Sequence, residues 1–343
     1  MTARLRVLEV IEETPDARSI VLEAPGEAPG RFGYRPGQFL TVRVPHADGA
    51  VARCYSLASD PGGGEPMKVT VKRVAEGRAS NWLCDRLTVG TELEVLPPSG
   101  VFTPGTSHGD LLLVAGGSGI TPVMSILKAA LRGDARVALF YANRDPESVI
   151  FRTELDQLAA RHPDRVAITH WLESDRGLPG ADDLADWARV HGDREAFVCG
   201  PEPFMALAEQ GLAAAGLPRS GVRVERFVSL EGDPFAAPEP AGSTGEVVEV
   251  VAGEPAVEVT LDGETRRLGW QRETPLLDVL LAAGLDAPYS CREGSCSACT
   301  CLLLEGEVKL LRNTVLSRED LEDGYTLACQ AVPLTDDIRV TYE

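Results

Sequence analysis

The chain has 343 residues, 44% of them hydrophobic, and a formal net charge of −19 at pH 7. This length is enough for two or three domains with separate cores. This acidity argues against nucleic acid and against an anionic membrane surface as partners. No uncharged apolar run approaches the roughly 20 residues of a membrane span, and the N-terminus has no signal-peptide core, so we expect a soluble, cytoplasmic protein.

The first part of the chain, residues 1–107, reads as all-β. Short β-rich runs such as FLTVRVP and MKVTVKRV alternate with Gly and Pro residues. This pattern predicts a small antiparallel β-barrel or sandwich.

The pattern changes over residues 108–230. The run DLLLVAGGSGITPVMSILKAAL reads as strand, glycine turn and helix, and the same alternation recurs through AFVCGPEPFMALAEQGLAAAG. Strands that alternate with helices in this way indicate a parallel α/β sheet.

The last part follows a predicted linker, residues 231–245, whose Pro, Gly and Ala content cannot bury enough apolar surface to fold alone. Residues 246–343 begin with two predicted strands joined at Asp262-Gly263. A predicted helix comes next, with Thr274 as N-cap, Pro275 at its first position and Gly284 just past its end. A cysteine-rich loop follows the helix.

Eight cysteines in a cytoplasmic chain are better interpreted as metal ligands or redox groups than as disulfides. Cys291, Cys296 and Cys299 have the spacing C-x4-C-x2-C, and Cys329 follows after a long gap, which is the plant-type [2Fe-2S] arrangement. A structural zinc site is the alternative, but it needs a second Cys-x2-Cys or a His pair. We interpret Cys301 as a buried packing residue.

Residues around the cysteines suit such a cluster. Small residues at positions 294, 295, 297 and 298 allow a tight backbone turn. Their amide groups can then point at the ligand sulfurs and tune the reduction potential.

With this motif, the chain resembles the reductase components of bacterial multicomponent oxygenases. A ferredoxin-NADP reductase-like part precedes a ferredoxin-like part, and the resemblance covers nearly the whole chain. Within that family, the run YSCREGSCSACTC and the domain order are most similar to the reductases of 3-ketosteroid 9α-hydroxylases, with phenylacetyl-CoA oxygenase reductases as a more distant branch. The resemblance implies a β-barrel flavin domain, an α/β nucleotide domain and a β-grasp ferredoxin domain.

The family's flavin signature, Arg-x-Tyr-Ser, occurs here as Arg53, Tyr55 and Ser56 in the run RCYSLAS. The resemblance implies that Arg53 pairs with the flavin pyrophosphate, that Tyr55 lies against the isoalloxazine, and that the Ser56 hydroxyl or amide reaches N5. Leu57, the next residue, is also expected to contact the flavin. Taken alone, Tyr55 would read as a half-exposed strand residue.

A second phosphate contact is implied in the run EGRASNWLCDRL. There Gly77 permits close backbone approach, Ser80 donates to the phosphate with Ala79 beside it in the cofactor site, and a helix begins around Asn81. The alternative is that Ser80 is only a helix N-cap. The resemblance favours FAD over FMN.

The glycine turn after the strand LLLVAG contains Gly116, Gly117 and Gly119 and leads into a helix opened by Thr121 and Pro122. Free amides and a positive helix end suit a pyrophosphate. The turn departs from the G-x-G-x-x-G dinucleotide pattern because Pro122 stands where the third glycine would be.

The partner of this turn is the run FVCGPEPFM. The resemblance places Cys199 beside the nicotinamide and Gly200 and Pro201 at the opening of the next helix. Without the resemblance, a buried core thiol is the better reading of Cys199. Phe227 falls where relatives place an aromatic ring over the flavin, although a core phenylalanine fits equally well.

Together these motifs imply an enzyme that takes a hydride from a nicotinamide and passes electrons singly to a protein acceptor. We expect NADH rather than NADPH, because Asp145 partly cancels the field of Arg144, the cation placed to bind a 2′-phosphate. We expect the acceptor to be a Rieske-type terminal oxygenase; a cytochrome P450 or a diiron oxygenase is the second choice. The alternative to an enzyme is a redox-sensing protein that carries flavin and cluster but turns over slowly.

Acidic residues concentrate in the last part of the chain. Residues 247–343 carry eighteen Asp and Glu against eight Lys and Arg, a net charge of −10. We expect Glu293 and the acidic residues of the run REDLEDG to form a face that meets a basic patch on the acceptor. The alternative is that the acidity only maintains solubility.

Overall fold

A computed structural model describes residues 2–23, 32–46, 49–105, 109–192, 194–235 and 254–342. The Cα packing divides the chain into two compact units, Met1–Phe227 and Val228–Glu343. No helix in the described ranges combines the length and the apolar character that crossing a bilayer requires. The finer division into flavin, nucleotide, linker and ferredoxin segments stays a prediction.

The N-terminal part of the first unit is an antiparallel barrel. Its six strands run in the order β4-β3-β6-β1-β2-β5, and a bridge between Leu57 and Val69 joins the two outer strands. Alternating apolar residues such as Leu5, Val42 and Val69 face inward and fill the barrel. Its elements within the described residues are β1 Ala3–Thr14, β2 Ala17–Leu22, β3 Phe39–Val44, β4 Val51–Ser56, β5 Met67–Lys72, α1 Arg78–Arg86 and β6 Glu92–Val95.

The rest of the first unit is a five-stranded parallel sheet in the order β11-β10-β7-β8-β9. Hydrophobic clusters cover both of its faces, as expected for strands that are apolar throughout. The elements are β7 Leu111–Gly116, α2 Ile120–Arg132, β8 Val137–Asn143, α3 Arg152–Arg161, β9 Val166–Leu172, α4 Glu173–Arg176, α5 Ala181–His191, β10 Glu195–Cys199, α6 Glu202–Ala214 and β11 Val222–Glu225.

This strand order places a topological switch point between β7 and β10. In open α/β sheets, ligands bind in the crevice outside the carboxyl ends of the strands at such a point. The glycine turn that follows β7 and the Gly200-Pro201 pair that follows β10 therefore lie side by side.

The second unit is a mixed five-stranded sheet with a helix packed on it, the β-grasp arrangement that the resemblance implied. The strand order is β13-β12-β18-β14-β16, and β15 pairs with β17 separately. The elements are β12 Ala256–Leu261, β13 Glu264–Gly269, α7 Leu276–Ala282, β14 Thr300–Glu305, β15 Val308–Leu310, α8 Arg318–Glu322, β16 Tyr325–Leu327, β17 Ala331–Pro333 and β18 Asp337–Thr341.

The local predictions for this unit hold with one shift. Asp262 and Gly263 join β12 to β13 with φ values of 53° and 75°, the left-handed pair that a two-residue hairpin turn requires. The N-cap of α7 is Pro275 rather than Thr274. Gly284 has the predicted positive φ, 74°. Residues 236–245 of the predicted linker lie outside the described residues.

Candidate functional site

Four cysteine thiols of the second unit converge in one place. The amide of Cys291 donates to the sulfur of Cys296 over 3.3 Å, and the amide of Cys329 donates to the sulfur of Cys299 over 3.4 Å. The thiols of Cys291 and Cys329 are within hydrogen-bonding range of each other. The spacing in the sequence therefore predicted a set of side chains that fits a [2Fe-2S] cluster.

Hydrogen bonds among these thiols shift the pKa values of Cys291 and Cys329 in opposite directions. The hydrogen bond from Cys296 lowers the pKa of Cys291, the hydrogen bond from Cys329 lowers it further, and the amides of Glu293 and Ser295 act in the same direction. The hydrogen bonds with Cys291 and Cys299, together with burial, raise the pKa of Cys329. A site that stabilises negative charge on sulfur suits iron, which binds thiolates.

Backbone geometry explains how one short loop can supply three thiols. Arg292, Gly294 and Ser297 all have left-handed φ values, 59°, 71° and 56°. A Cβ on Gly294 would lie 2.5 Å from the carbonyl oxygen of Arg312, so no larger residue fits there. The resulting turn aims the amides of Glu293 and Ser295 at the sulfur of Cys291, over 3.3 and 3.4 Å.

Gln330, which sequence reasoning missed, closes this loop from the other side. Its buried side-chain amide donates to the carbonyl oxygens of Arg292 and Cys329 over 2.9 and 2.8 Å. It also lies 3.5 Å from the sulfur of Cys329. Gln330 thus ties the fourth cysteine to the loop that holds the other three.

Cys301 lies apart from this set. Its side chain is only 2% exposed on β14, and burial raises the pKa of its thiol. Among the described residues, no three His, Cys, Asp or Glu side chains surround a common point as the ligands of a single metal ion would. Each iron of a [2Fe-2S] cluster needs only two protein thiolates.

The predicted flavin residues lie on β4 at the edge of the barrel sheet. Ser56 is buried and pairs with Phe39 across the sheet, while burial raises the pKa of the half-buried Tyr55 and the nearby Arg53 charge opposes that shift. Leu57 is fully buried, and its amide donates to Gln38. Leu57 therefore contributes its side chain to the barrel core.

Helix α1 begins at Arg78, three residues earlier than predicted, with Gly77 rather than Ser80 as its N-cap. A Cβ on Gly77 would lie 2.4 Å from the Ser80 hydroxyl, which itself accepts from the amide of Val74. The buried side chain of Ala79 packs into the barrel. These contacts explain why the helix starts early.

A cavity of about 580 Å³ opens beside the first turn of α1 and includes His46, Gly77, Arg78 and Trp82 in its lining. Its volume is within the usual range for cofactor sites. First-turn amides of a helix have no intrahelical acceptor and carry positive potential. This part of the barrel can therefore hold a phosphate group of a flavin dinucleotide.

The glycine turn and the end of β10 approach each other closely at the switch point. A Cβ on Gly119 would lie 2.1 Å from the carbonyl oxygen of Cys199, and a Cβ on Gly200 would lie 3.1 Å from the Cα of Gly116. Only glycine permits this approach. It forms a backbone cradle of the kind that accepts a dinucleotide pyrophosphate.

Side chains fix the shape of the turn. The Tyr141 hydroxyl donates to the carbonyl oxygen of Gly117 over 3.1 Å, and Thr121 donates to the carbonyl oxygen of Ser118 over 3.1 Å. The ammonium of Lys72, on the barrel strand β5, would lie 3.6 Å from a Cβ on Gly117. Sequence analysis missed Tyr141 and Lys72, because only the tertiary fold brings them to the turn.

Cys199, predicted beside the nicotinamide, and Phe227, predicted over the flavin, differ in exposure. Cys199 is fully buried in the core, and burial raises the pKa of its thiol well above the usual range. Phe227 is 49% exposed, so the alternative reading of a core phenylalanine is wrong. Pro201 opens α6 as predicted, in the N-cap position. The functional roles of these three residues stay predictions.

Glu225 is a further residue that sequence analysis missed. It pairs with Cys199 across the parallel strands β10 and β11. Burial raises its pKa from 4.5 to about 8, and the charge of Arg226 only partly opposes that shift. This shift favours the protonated carboxyl of the half-buried Glu225 near neutral pH, at the carboxyl end of β11.

We expect Glu225→Gln to remove a pH dependence of stability. Folding raises the pKa of Glu225 to about 8. The stability that this shift gives the folded protein is therefore complete below the pKa of Glu225 in the unfolded chain, and it is lost as the pH rises through the pKa in the folded protein. The wild-type melting temperature, measured by circular dichroism, should fall more than that of the variant between about pH 5 and about pH 8. Parallel curves would contradict the raised pKa.

Comparisons with known proteins agree with this geometry. Profiles for an oxidoreductase FAD-binding domain, an oxidoreductase NAD-binding domain and a 2Fe-2S iron-sulfur cluster binding domain match residues 4–103, 113–210 and 259–334. The ferredoxin reductase component of 3-ketosteroid-9-alpha-monooxygenase from Rhodococcus rhodochrous is 52% identical over 98% of this chain and 96% of its own. A 1,2-phenylacetyl-CoA epoxidase component from Escherichia coli is 32% identical over 99% of this chain and 97% of its own.

Solved structures show the same fold. Phthalate dioxygenase reductase superposes with a TM-score of 0.56 at 24% identity, over 99% of this chain and 98% of its own. An intact type IV self-sufficient cytochrome P450 monooxygenase superposes with a TM-score of 0.65 at 26% identity, over 99% of this chain and 41% of its own.

Proposed function

Because the chain belongs to the family of reductase components that serve multicomponent monooxygenases, we propose that it delivers electrons from NADH to a Rieske-type terminal oxygenase that hydroxylates a steroid. The chain is an oxidoreductase with FAD-, NAD- and [2Fe-2S]-binding domains, and a terminal oxygenase is its partner. The observation that carries the proposal is the convergence of four thiols in a chain that also contains a nucleotide cradle.

Residues of the chain have separate tasks in this scheme. When bound, FAD accepts a hydride from NADH and the cluster carries single electrons. The turn from Gly116 to Gly119 would bind the nucleotide pyrophosphate through its amides, and the first turn of α1 with Arg53 would bind the flavin phosphates. The amides of Glu293 and Ser295 stabilise negative charge on Cys291.

Cofactor analysis tests the proposal directly. We expect the purified protein to contain one flavin and two irons per chain and to show a rhombic EPR signal after reduction with NADH. If metal analysis finds only zinc and there is no EPR signal, the assignment of a [2Fe-2S] cluster is wrong. Reduction of candidate oxygenases of the Rieske, P450 and diiron classes then identifies the acceptor.

Acidic residues near α8 are the proposed docking face for the acceptor. Glu319, Glu322 and Asp323 are exposed on this helix and at its end, and Glu322 also forms an exposed ion pair with Arg318 over 2.8 Å. Asp320 is different, because its carboxylate accepts from the amide of Ser317 and caps the helix. We therefore restrict the docking face to Glu319, Glu322 and Asp323.

Glu293, which we also expected on this face, is engaged within its own unit. Its carboxylate accepts from the amide of Glu231 over 3.0 Å and from the amide of Gly232. Arg312 pairs with the carboxylate of Glu231 over 3.2 Å and adds to this contact. Glu293 therefore anchors residues 231 and 232 to the cluster loop, and we omit it from the docking face.

Replacing Glu319, Glu322 and Asp323 by Lys should slow reduction of the acceptor selectively. Exposed charges steer encounter, and screening shortens from about 10 Å at 0.1 M salt to about 3 Å at 1 M. We therefore expect the wild-type rate of acceptor reduction to fall with salt, while NADH–ferricyanide turnover changes little. Stopped-flow kinetics at several salt concentrations measure both rates.

The matched control reverses three other exposed acids, Glu254, Glu264 and Glu273. Glu264 lies on β13, the strand at the opposite edge of the sheet from β16. The change in net charge is the same, so an equal loss in both variants would mean that overall charge, and not the α8 face, governs the rate. If the rate of acceptor reduction does not depend on salt, the acidic residues do not steer docking and serve only solubility.

A further inference from the structure

Arg144 forms an ion pair with a residue of the barrel. It is the first residue after β8, the position from which a cation reaches the 2′-phosphate of NADPH in folds of this type. Its guanidinium lies 3.1 Å from the carboxylate of Asp16, a residue of the barrel hairpin between β1 and β2. The pair links residues 128 positions apart.

Asp16 is held firmly in this position. The hydroxyl of Thr14 donates to its other carboxylate oxygen over 2.8 Å, and its own amide donates back to that hydroxyl over 3.3 Å. The ammonium of Lys72 lies 3.8 Å from the oxygen that Arg144 contacts. The Asp16 side chain is 27% exposed and the Arg144 side chain 63%, so solvent screens the Asp16 end of this cluster less than it screens a pair with two fully exposed partners.

Asp145, the neighbour that we expected to weaken Arg144, is occupied elsewhere. Its carboxylate accepts from the amide of Ser148 over 2.8 Å and caps the short turn after β8. Its charge still adds to the negative potential around Arg144. The direct partner of Arg144, however, is Asp16.

A 2′-phosphate carries close to two negative charges at neutral pH, whereas the 2′-hydroxyl of NADH carries none. To reach Arg144, the phosphate must displace Asp16 or share the cation with it, and both cost binding free energy. The hydroxyl of NADH meets no such cost.

We propose that Asp16 makes this site select NADH over NADPH by occupying Arg144 and by placing a carboxylate beside the position of the 2′-phosphate. The inference rests on the function proposed above. It assigns nucleotide selectivity to a residue of the barrel, outside the α/β sheet that binds the nucleotide.

Asp16→Asn tests the proposal, because the amide retains an acceptor for Thr14 and removes the charge. We expect kcat/KM for NADPH with ferricyanide to rise roughly tenfold and that for NADH to change by less than about twofold. Arg144→Ala should cancel the gain in the Asp16→Asn background. Alone it should lower kcat/KM for NADPH further, since the Asp16 carboxylate then faces the 2′-phosphate without the charge of Arg144.

Glu13→Gln is the matched control. Glu13 lies on the same hairpin and accepts from Ser19 over 2.5 Å, so its replacement removes one charge nearby without freeing Arg144. We expect this variant to retain the wild-type NADPH-to-NADH ratio. A control that gains NADPH activity as Asp16→Asn does would reduce the effect to general electrostatics and overturn the role of Asp16.

Titration calorimetry with 2′,5′-ADP and 5′-AMP gives a readout that needs no turnover. Asp16→Asn should tighten binding of 2′,5′-ADP alone. An unchanged preference between the two nucleotides, or a gain that survives Arg144→Ala, would refute the proposal. Absence of NAD(P)H oxidation by the wild type would instead refute the proposed function, and the calorimetric comparison would still decide the role of Asp16.

Discussion

Cys296→Ser is expected to abolish electron delivery to protein acceptors while preserving flavin chemistry. Loss of residues that merely support metal ligands costs about 10- to 100-fold in metal affinity or activity, so loss of a ligand should lower cytochrome c reduction by roughly 100-fold or more. NADH–ferricyanide turnover should stay near the wild-type rate. Iron analysis and EPR of the variant should show loss of the cluster.

Cys301→Ala is the control for that result. Cys301 is as deeply buried as Cys291 and Cys299, at 2% exposed, whereas Cys296 is half-buried, but Cys301 lies on β14 and outside the converging set. We expect this variant to retain two irons per chain and the wild-type EPR signal. Iron loss from Cys301→Ala, or full iron content in Cys296→Ser, would contradict the ligand assignment.

A chain that ends at Phe227 should separate the two halves of the reaction. The first compact unit ends there and contains the barrel, the glycine turn and the end of β10, so NADH–ferricyanide activity should persist. Cytochrome c reduction should drop by roughly 100-fold, because all four predicted ligands are removed. Parallel steady-state assays with the two acceptors measure the difference.

The boundary of this truncation comes from the structure. We expected the first part to extend to Leu230, but Leu230 is buried, 5% exposed, and belongs to the second unit. A chain that ends at Leu230 would keep three residues, 228–230, that belong to the second unit. If the shorter chain loses both activities equally, the first unit does not function alone.

The cluster site could be predicted from sequence because its ligands are close in sequence. Three of the four thiols lie within nine residues, from Cys291 to Cys299, and the size of the cluster fixes their spacing. The same holds for the turn at Asp262-Gly263, where the φ values depend on the two residues alone. The confirmed parts of the fold are those with such local patterns.

Contacts between distant segments could not be predicted in this way. The pairs formed by Asp16 with Arg144 and by Gln330 with Arg292 depend on which strands become neighbours. A local preference also misled us at α1, since serine is a frequent N-cap. Packing of Ala79 and the tight space at Gly77 extend that helix toward the N-terminus instead.

Glu293 links the start of the second unit to the cluster loop, and this link affects how the unit responds to a pulling force. Its side chain binds the amides of Glu231 and Gly232, while its own amide donates to the sulfur of Cys291. A pulling force that enters the unit along the chain at Val228 reaches these bonds before it reaches β12. The loop around the sulfurs, and not the sheet, would therefore be the first part of the unit to carry tension.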